Sequence, residues 1–150
     1  AGNSSPLTDG ATALLVCSKN YAEENGLEVL AKIKSIAVHG CEPDYMGLGP
    51  IGATRKALAR ASLTIKDIGL IELNEAFASQ SIACVRELDI DKEKLNIDGG
   101  AIAIGHPLGA TGARITGKAA SLLKRENVEF ALATQCIGSG QGLSTILEAV

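Results

Sequence analysis

The run of residues 99–112, GGAIAIGHPLGATG, constrains the fold of this 150-residue chain more than any other segment. Its glycines let another group approach the backbone closely, and Pro107 suits the first position of a helix. His106 therefore stands in a glycine-rich loop where a helix begins. Residues 74–77 and 136–140 each place a reactive polar residue where a predicted strand ends. Three such segments in one small chain predict an active site.

The composition predicts one globular domain that spans residues 1–150. Hydrophobic residues make up 46% of the chain and charged residues 21%, which excludes a disordered polymer. Aromatic residues make up only 3%, so the core must be aliphatic. The net charge of −3 comes without a basic stripe, which argues against nucleic acid as a partner. No apolar run reaches the length that a bilayer crossing needs, so no membrane partner is expected.

Four widely spaced cysteines, at positions 17, 41, 84 and 136, form no C-x-x-C pair. With only two histidines beside them, this spacing predicts no metal site. A chain of this size needs no disulfide framework, so we expect free thiols in a reducing compartment, the cytoplasm. The chain begins AGNSSPLTDG, with neither Met nor a signal-peptide pattern, as a processed form or a piece of a longer protein would.

Short apolar runs alternate with helical patterns along the chain. Strands are predicted at residues 11–17, 31–39, 68–73, 95–97, 129–135 and 143–149, and helices at residues 19–25, 51–61, 75–88 and 108–125. Residues 42–50 are predicted to be a loop. The short glycine link between the last two strands predicts an antiparallel hairpin. This order of elements predicts an α/β fold with a mixed sheet.

Apolar side chains at helical spacing predict the buried faces of the two longest helices. For residues 75–88 they are Ala78, Ile82, Val85 and Leu88, and for residues 108–125 they are Ile115, Ala119, Leu122 and Leu123. Both helices are therefore expected to pack against the sheet.

Asn74 and His106 each have a structural and a functional interpretation. Asn74 could cap the following helix, because an Asn side chain satisfies free amides at a helix start. Alternatively, its amide holds a ligand or a water at the sheet edge where α/β sites gather. His106 lies between Gly105 and Pro107, a setting that favours a general base or an oxyanion donor over a surface histidine.

Cys136 ends an apolar strand and leads into the glycine-rich turn at residues 138–142. A buried inert thiol is one interpretation. The other is a reactive thiol beside backbone N–H groups that form an anion-binding nest and stabilise a developing oxyanion. The turn is not a dinucleotide fingerprint, which needs a further helix, strand and acidic residue. The other three cysteines are assigned to packing.

Taken together, these segments resemble the C-terminal half of the thiolase family, the acetyl-CoA acetyltransferases and 3-ketoacyl-CoA thiolases. The resemblance runs from AGNSS at residues 1–5 through MGLGP at 46–50 and NEAF at 74–77 to the His106 run and CIG at 136–138. It implies a three-layer α/β unit with a mixed, mostly five-stranded sheet flanked by helices. It also implies an acetyl-CoA C-acyltransferase of fatty acid metabolism. Such an enzyme performs a Claisen condensation or its reverse, with coenzyme A as a substrate and no cofactor.

The resemblance implies roles for four residues in catalysis. His106 matches the histidine that activates a nucleophilic cysteine and helps to hold the thioester oxygen. Asn74 matches the asparagine that positions a water in the same oxyanion hole. Cys136 matches the second cysteine, an acid/base that takes the α-proton of the acetyl unit. The amide of Gly138 matches a donor in the other oxyanion hole.

Three further positions match residues of the family that contact substrate. Ser5 matches a serine that contacts coenzyme A, and Met46 and Phe77 match residues near the pantetheine and acyl pocket. No residue here matches the acylated cysteine, which the family carries in its N-terminal half. The resemblance therefore implies a thiolase N-terminal domain as partner, a homodimer or homotetramer of the full-length protein, and an isolated chain without turnover.

Three alternatives remain at this point. A ketoacyl synthase would usually carry two histidines where this chain has Asn74 and Cys136. A non-catalytic module that binds coenzyme A, or an assembly module of the same fold, would also account for a chain without the nucleophile. Calorimetry with coenzyme A separates the last two alternatives.

Overall fold

The last two strands follow each other, as the sequence predicts, but the predicted alternation of helices and strands before them breaks where three helices follow one another, because no strand forms at residues 95–97. The computed structural model describes residues 2–150, so Ala1, the first residue of the AGNSS motif, lies outside the described residues. The helices are α1 (Lys19–Glu24), α2 (Gly49–Ala61), α3 (Ala78–Leu88), α4 (Ala101–Ile104) and α5 (Leu108–Glu126). The strands are β1 (Lys32–Gly40), β2 (Leu70–Leu73), β3 (Phe130–Ile137) and β4 (Gln141–Glu148).

Short 3-10 helices connect some of these elements, at Pro43–Leu48, Ile65–Asp67 and Lys92–Lys94. The prediction of a loop over residues 42–50 is wrong, because the first 3-10 helix passes directly into α2 at Gly49. Within residues 2–150, none of the helices has the length and apolar character that a membrane crossing would require.

The sheet is mixed, and the order of its strands is β1–β4–β3–β2. β2 is parallel to β3, whereas β4 is antiparallel to both β3 and β1. The predicted hairpin between the last two strands is confirmed, and Cys136 pairs with Gly142 in it. The hairpin turn needs left-handed backbone at Ser139 and Gly140, whose φ angles are 68° and 86°.

The sheet formed by the described residues has four strands and not the predicted five. The predicted strand at residues 95–97 is reduced to one isolated parallel bridge between Leu95 and Ile71. Extended pairing ends there because the next residue, Asn96, takes a left-handed conformation with a φ of 45°. The chain then turns away from the sheet toward α4.

Helices cover both faces of the sheet, which confirms the three-layer α/β architecture. α2 packs on β1 and β4 and, together with α3, covers one face, whereas α5 packs on β2 and β3 on the other. Each face has its own aliphatic cluster. The first includes Ile68, Ile71, Leu73, Leu132 and Ile146, and the second includes Leu70, Ile115, Ala119, Leu122 and Leu123. The predicted buried face of α5 is therefore confirmed.

The predicted start and buried face of α3 are partly wrong. The helix begins at Ala78 and not at Glu75, because Phe77 is extended and forms a bridge with Ser4. Ile82 is 49% exposed. The buried side chains of α3 are Gln80, Ser81, Cys84, Val85 and Leu88. Gln80 and Ser81 are thus buried, although the spacing of the apolar residues alone would place them on the solvent-exposed face.

The predicted buried strand at residues 11–17 is also wrong. This segment forms no strand, and Leu15 and Val16 are 73% and 71% exposed. The segment instead lies along α5, where the Thr12 hydroxyl donates to the carbonyl of Ala110 (2.6 Å). The apolar run remains exposed because no strand of the described sheet lies next to it.

The backbone of β4 approaches the backbone at the start of α2 very closely. A Cβ at Gly142 would lie 2.1 Å from the carbonyl carbon of Gly49, so only glycine fits there. A Cβ at Gly49 would lie 2.4 Å from the carbonyl oxygen of Gln141. This approach fixes the 3-10 helix Pro43–Leu48, which carries Met46, beside the β3–β4 hairpin.

The two clusters generate a prediction about stability. Leu132 is fully buried in the first cluster, so Leu132→Ala should lower the free energy of unfolding by about 3 kcal/mol through lost contacts and a residual cavity. Ile33 lies in β1 and is 47% exposed, so Ile33→Ala is the matched control and should cost less than about 1 kcal/mol. Urea denaturation measures both changes, and equal losses would contradict the assigned core.

Candidate active site

The carboxyl ends of β2 and β3 lie side by side because the two strands are parallel. Asn74 directly follows β2, and its backbone N–H donates to the carbonyl of Thr134 in β3 (2.9 Å). Cys136 lies two residues further along β3. The loop before α5 reaches the same edge of the sheet and carries His106. All three predicted segments therefore converge on one edge.

Asn74 and His106 are in direct contact. The side chain of Asn74 is fully buried, and its Nδ2 donates to Nε2 of His106 (3.2 Å). The interpretation of Asn74 as a helix cap is wrong, because α3 begins at Ala78 without a side-chain cap. The Oδ1 atom of Asn74 is buried and has no hydrogen-bond partner among residues 2–150. That oxygen is free to accept a hydrogen bond from a group that the described residues do not supply.

Thr111 fixes the ring of His106 from the other side. The Nδ1 atom of His106 lies 2.6 Å from the hydroxyl oxygen of Thr111. The single hydroxyl proton of Thr111 is donated to the carbonyl of Pro107 (3.0 Å), so the hydroxyl oxygen accepts from Nδ1–H. The tautomer with a proton on Nδ1 leaves a lone pair on Nε2, which faces the amide of Asn74.

His106 is held in its neutral form. Burial lowers the pKa of the imidazole below its usual value, and the positive charge of Arg114 lowers it further. A neutral imidazole whose Nε2 carries a lone pair can accept a proton from a thiol near neutral pH once the amide of Asn74 releases that lone pair. The arrangement therefore suits a general base.

Cys136 is partly buried, and its electrostatic setting differs from that of His106. Burial raises the pKa of the Cys136 thiol, a backbone hydrogen bond opposes this shift, and Cys41 adds to it. The thiol therefore keeps its proton near pH 7 and can donate it only to a stronger base, such as an enolate carbon. Among the described residues, no hydrogen bond joins Cys136 to Asn74 or His106.

Gly138 is exposed at the turn that follows β3, with open space where a Cβ would lie. Its neighbours Ser139 and Gly140 are both left-handed. Successive backbone N–H groups in such a turn can form a concave anion site. The position of Gly138 two residues after Cys136 places its backbone beside the thiol in sequence and at the same edge of the sheet.

The three expected substrate contacts lie on three segments of the chain, two of which are hydrogen-bonded to each other. The backbone N–H and hydroxyl of Ser5 both donate to the carbonyl of Ala76 (3.1 and 3.3 Å). Ser5 is thereby brought next to Phe77, which is 46% exposed. Met46 is partly buried on the 3-10 helix Pro43–Leu48, which packs against α3. The hydroxyl of Ser5 is engaged within the fold.

Several residues that shape the site were missed by sequence reasoning. Thr111, Glu75 and Asn96 act through hydrogen bonds that join distant parts of the chain. Only Thr111 had a detectable signal, because a hydroxyl in the first turn of a helix can reach back to a ring that precedes that helix. Glu72 is 1% exposed although it is ionisable, and nothing in the apolar pattern of β2 indicates that it stays inside.

Comparison with known proteins matches this chain to a protein family. The family model for the thiolase C-terminal domain matches residues 27–149. A 3-ketoacyl-CoA thiolase of Photobacterium profundum is 54% identical over 100% of this chain and 40% of its own length. A second 3-ketoacyl-CoA thiolase, from Photorhabdus laumondii, is also 54% identical, over 99% of this chain and 39% of its own length. The chain therefore spans about 40% of the length of the curated relatives it matches.

Solved structures agree with these sequence matches. The human mitochondrial 3-ketoacyl-CoA thiolase superposes with a TM-score of 0.97 at 44% identity, over 99% of this chain and 38% of that protein. An acetyl-CoA acetyltransferase of Bacillus anthracis superposes with a TM-score of 0.96 at 44% identity and the same coverage. The fold and the order of its elements are thus those of the solved thiolases.

Glu72 generates a prediction about pH dependence. Burial raises the pKa of this carboxyl from 4.5 to about 7, although the charges of Arg114 and Lys118 oppose the shift. A raised pKa favours the protonated form in the fold, so its contribution to stability is complete below pH 4.5 and is lost as the pH rises through about 7.

Glu72→Gln should therefore raise the free energy of unfolding at pH 8 by about 1 to 3 kcal/mol and have little effect at pH 4. Chemical denaturation at both pH values measures the difference. Glu93 is exposed, so Glu93→Gln serves as the matched control and should show no such dependence. Identical pH profiles for Glu72→Gln and the unaltered protein would refute the assigned burial cost.

Proposed function

The chain belongs to the thiolase family, as its C-terminal domain, and from this we propose that the longer protein transfers acyl groups between coenzyme A thioesters. The single observation that carries the proposal is the contact between Nδ2 of Asn74 and Nε2 of His106. A base and a hydrogen-bond donor at one point can both activate a thiol and stabilise a thioester oxygen. The relatives named as 3-ketoacyl-CoA thiolases support 3-ketoacyl-CoA and acetyl-CoA as the substrate class.

In this proposal, residues 1–150 are the C-terminal domain, and the rest of the protein supplies the nucleophilic cysteine. Neutral His106 takes the proton of that cysteine, and the thiolate attacks the 3-keto carbon of the substrate. Asn74, through its amide and a bound water, stabilises the oxygen on which negative charge develops. The buried, unpartnered Oδ1 of Asn74 supports a water there, because a water could donate to it.

Cys136 acts as the acid in the thiolysis direction. The bond between the α and β carbons breaks and leaves acetyl-CoA as an enolate, which takes its proton from the Cys136 thiol. The raised pKa of Cys136 supports this direction, because the thiol carries its proton before the step. In the condensation direction the same sulfur takes the α-proton. The amide of Gly138 stabilises the enolate oxygen in both directions.

Coenzyme A is a substrate in this scheme, because its thiol attacks the acyl group left on the nucleophilic cysteine, forms the shortened acyl-CoA and releases the cysteine thiol, and no cofactor is needed. Ser5, Met46 and Phe77 contribute to the surface that receives its pantetheine and acyl parts. Both Met46 and Phe77 flank α3, Met46 through the 3-10 helix packed against it and Phe77 as the residue before its start. The packing around α3 therefore brings the side chains of Met46 and Phe77 to the same region of the fold.

The partner of this domain is the N-terminal domain of the same protein. The exposed apolar side chains of residues 11–17, together with those of Ile104 and Leu108 near the site, support a surface that another domain covers. We further propose that the full-length protein is a homodimer or homotetramer that works in fatty acid metabolism in the cytoplasm. A module that binds coenzyme A without turnover is the alternative, and it is favoured only by the lack of a nucleophile matched in this chain.

The first test of the function is a turnover assay. The full-length protein should cleave acetoacetyl-CoA or a longer 3-ketoacyl-CoA in the presence of coenzyme A, measured as loss of the 3-ketoacyl thioester. His106→Gln should lower kcat by about 10²- to 10⁴-fold, because it removes the base. Residues 1–150 alone should give no turnover. Binding of coenzyme A by the full-length protein without any cleavage would favour the non-catalytic module instead.

The second test separates the two cysteine steps. Cys136→Ser in the full-length protein should slow exchange of the α-protons of acetyl-CoA with solvent by about 10²-fold or more, because a hydroxyl is a far weaker acid/base there. Acylation of the nucleophile by acetyl-CoA should change by less than about fivefold, since that step uses His106. Cys17 is exposed, and Cys17→Ser is the control. Equal loss of both steps would contradict the role assigned to Cys136.

A further inference from the structure

Asn96 takes the place of a strand beside the end of β2. Its Oδ1 accepts from the backbone N–H of Leu73 (2.9 Å), and its Nδ2 donates to the carbonyl of Leu73 (2.9 Å). One carboxamide therefore makes both bonds that a neighbouring strand would make with that residue. Leu73 is the last residue of β2, so the bonds hold the backbone immediately before Asn74. The left-handed backbone of Asn96 turns its side chain into this position.

Glu75 connects this carboxamide to the loop that carries His106. Its Oε1 accepts from Nδ2 of Asn96 (2.8 Å), and its Oε2 accepts from the backbone N–H of Ile102 (3.1 Å) in the first turn of α4. The loop lies so close that a Cβ at Gly100 would be 2.1 Å from the carboxyl carbon of Glu75. The carboxylate is therefore enclosed between the two segments.

A surface ion pair with α5 restrains the same loop from the side opposite Glu75. Asp98 accepts from both terminal nitrogens of Arg125 in α5 (2.7 and 2.8 Å) and also pairs with Lys118. Asp98 and Arg125 are exposed and Lys118 is partly exposed, so water screens the charges, but the bidentate geometry and the second cation make the contact stronger than an isolated surface ion pair. The part-buried bonds of Glu75 and the buried bonds of Asn96 restrain the same residues from the side of the sheet, and they are the only ones of these contacts that reach Leu73 and the first turn of α4.

Both members of the Asn74–His106 contact depend on this restraint. Asn74 follows Leu73, whose backbone is held by Asn96, and His106 follows α4, whose first turn is held by Glu75. We propose that Glu75 and Asn96 form a clamp that sets the distance between Asn74 and His106, and so are positioning residues for the proposed reaction. The proposal rests on the function given above, because the clamp has a kinetic effect only if that pair is catalytic.

The clamp requires a carboxylate at position 75. Both of its partners, Nδ2 of Asn96 and N–H of Ile102, are donors, and only a carboxylate offers an acceptor to each. A glutamine of the same shape would turn its own NH₂ group toward one of the two donors. Glu75→Gln therefore breaks one bond while it keeps the volume of the side chain.

The test uses the full-length protein and two readouts. Glu75→Gln should lower kcat for thiolysis by about 10- to 100-fold through displacement of His106, with the KM for coenzyme A changed by less than about twofold. Hydrogen–deuterium exchange at the amides of residues 102–104 should speed up by at least about tenfold, while the β3–β4 hairpin keeps its exchange rates. Glu93→Gln removes the same charge from an exposed side chain on the preceding 3-10 helix and should leave both readouts unchanged.

A reversed pair provides an independent check. Asn96→Asp alone places two carboxylates against each other and should lower kcat at least as far as Glu75→Gln. The double variant Glu75→Gln with Asn96→Asp restores the bond between positions 75 and 96 in the opposite sense, whereas the bond to the carbonyl of Leu73 stays lost in both variants. The new carboxamide at position 75 then donates to the new carboxylate at position 96 and still accepts from the N–H of Ile102. This variant should recover at least about fivefold of the kcat lost in Asn96→Asp.

The possible outcomes distinguish failure of the clamp from failure of the proposed function. Unchanged kcat and unchanged exchange in Glu75→Gln would overturn the clamp. A fall in kcat matched by an equal rise in KM, with faster exchange throughout the domain, would also overturn it in favour of a general loss of structure. If the unaltered protein has no thiolase activity, the proposed function fails, and the exchange data still decide whether Glu75 restrains the loop. Recovery in the double variant supports the clamp directly.

Discussion

The parallel pairing of β2 with β3 is the constraint on which the rest of the site depends. Parallel strands end at the same edge of a sheet, so the residues that follow them become neighbours although they lie far apart along the chain. Asn74 and Cys136 reach the same edge in this way. The helix α5, which covers β2 and β3, begins at that edge and adds His106. The topology of the sheet thus brings these residues to one edge, whether or not their side chains contact each other.

The sequence predicted those parts of the fold that depend on local patterns. The buried face of α5 and the β3–β4 hairpin follow from apolar spacing and from a glycine turn. Predictions failed where a distant group decided the outcome. Residues 11–17 are apolar but have no strand beside them, the fifth strand stops at left-handed Asn96, and α3 starts late because Phe77 pairs with Ser4.

The same distinction applies to the site. His106, Asn74 and Cys136 stand in motifs that indicate reactive side chains, so the sequence predicts them as site candidates, and the structure joins the first two directly. Glu75 and Asn96 act through hydrogen bonds to atoms 21 to 27 residues away, and Thr111 acts through a bond to the ring of His106, and no periodicity encodes such bonds. Burial then sets the protonation states in opposite directions, with the pKa of His106 lowered and that of Cys136 raised. Both groups are neutral as a result, one ready to accept a proton and the other ready to give it.

The uncovered stretch ATALLVCS at residues 11–18 has a consequence for how such a domain must be made in the cell. It contains no charged residue and no proline, and its side chains protrude from the body of the molecule at Leu15 and Val16. Segments of this length and character stack readily with copies of themselves into intermolecular sheets. In the proposed full-length protein, the N-terminal domain would therefore have to cover this stretch sooner than another molecule does, so the order of assembly during synthesis would affect solubility.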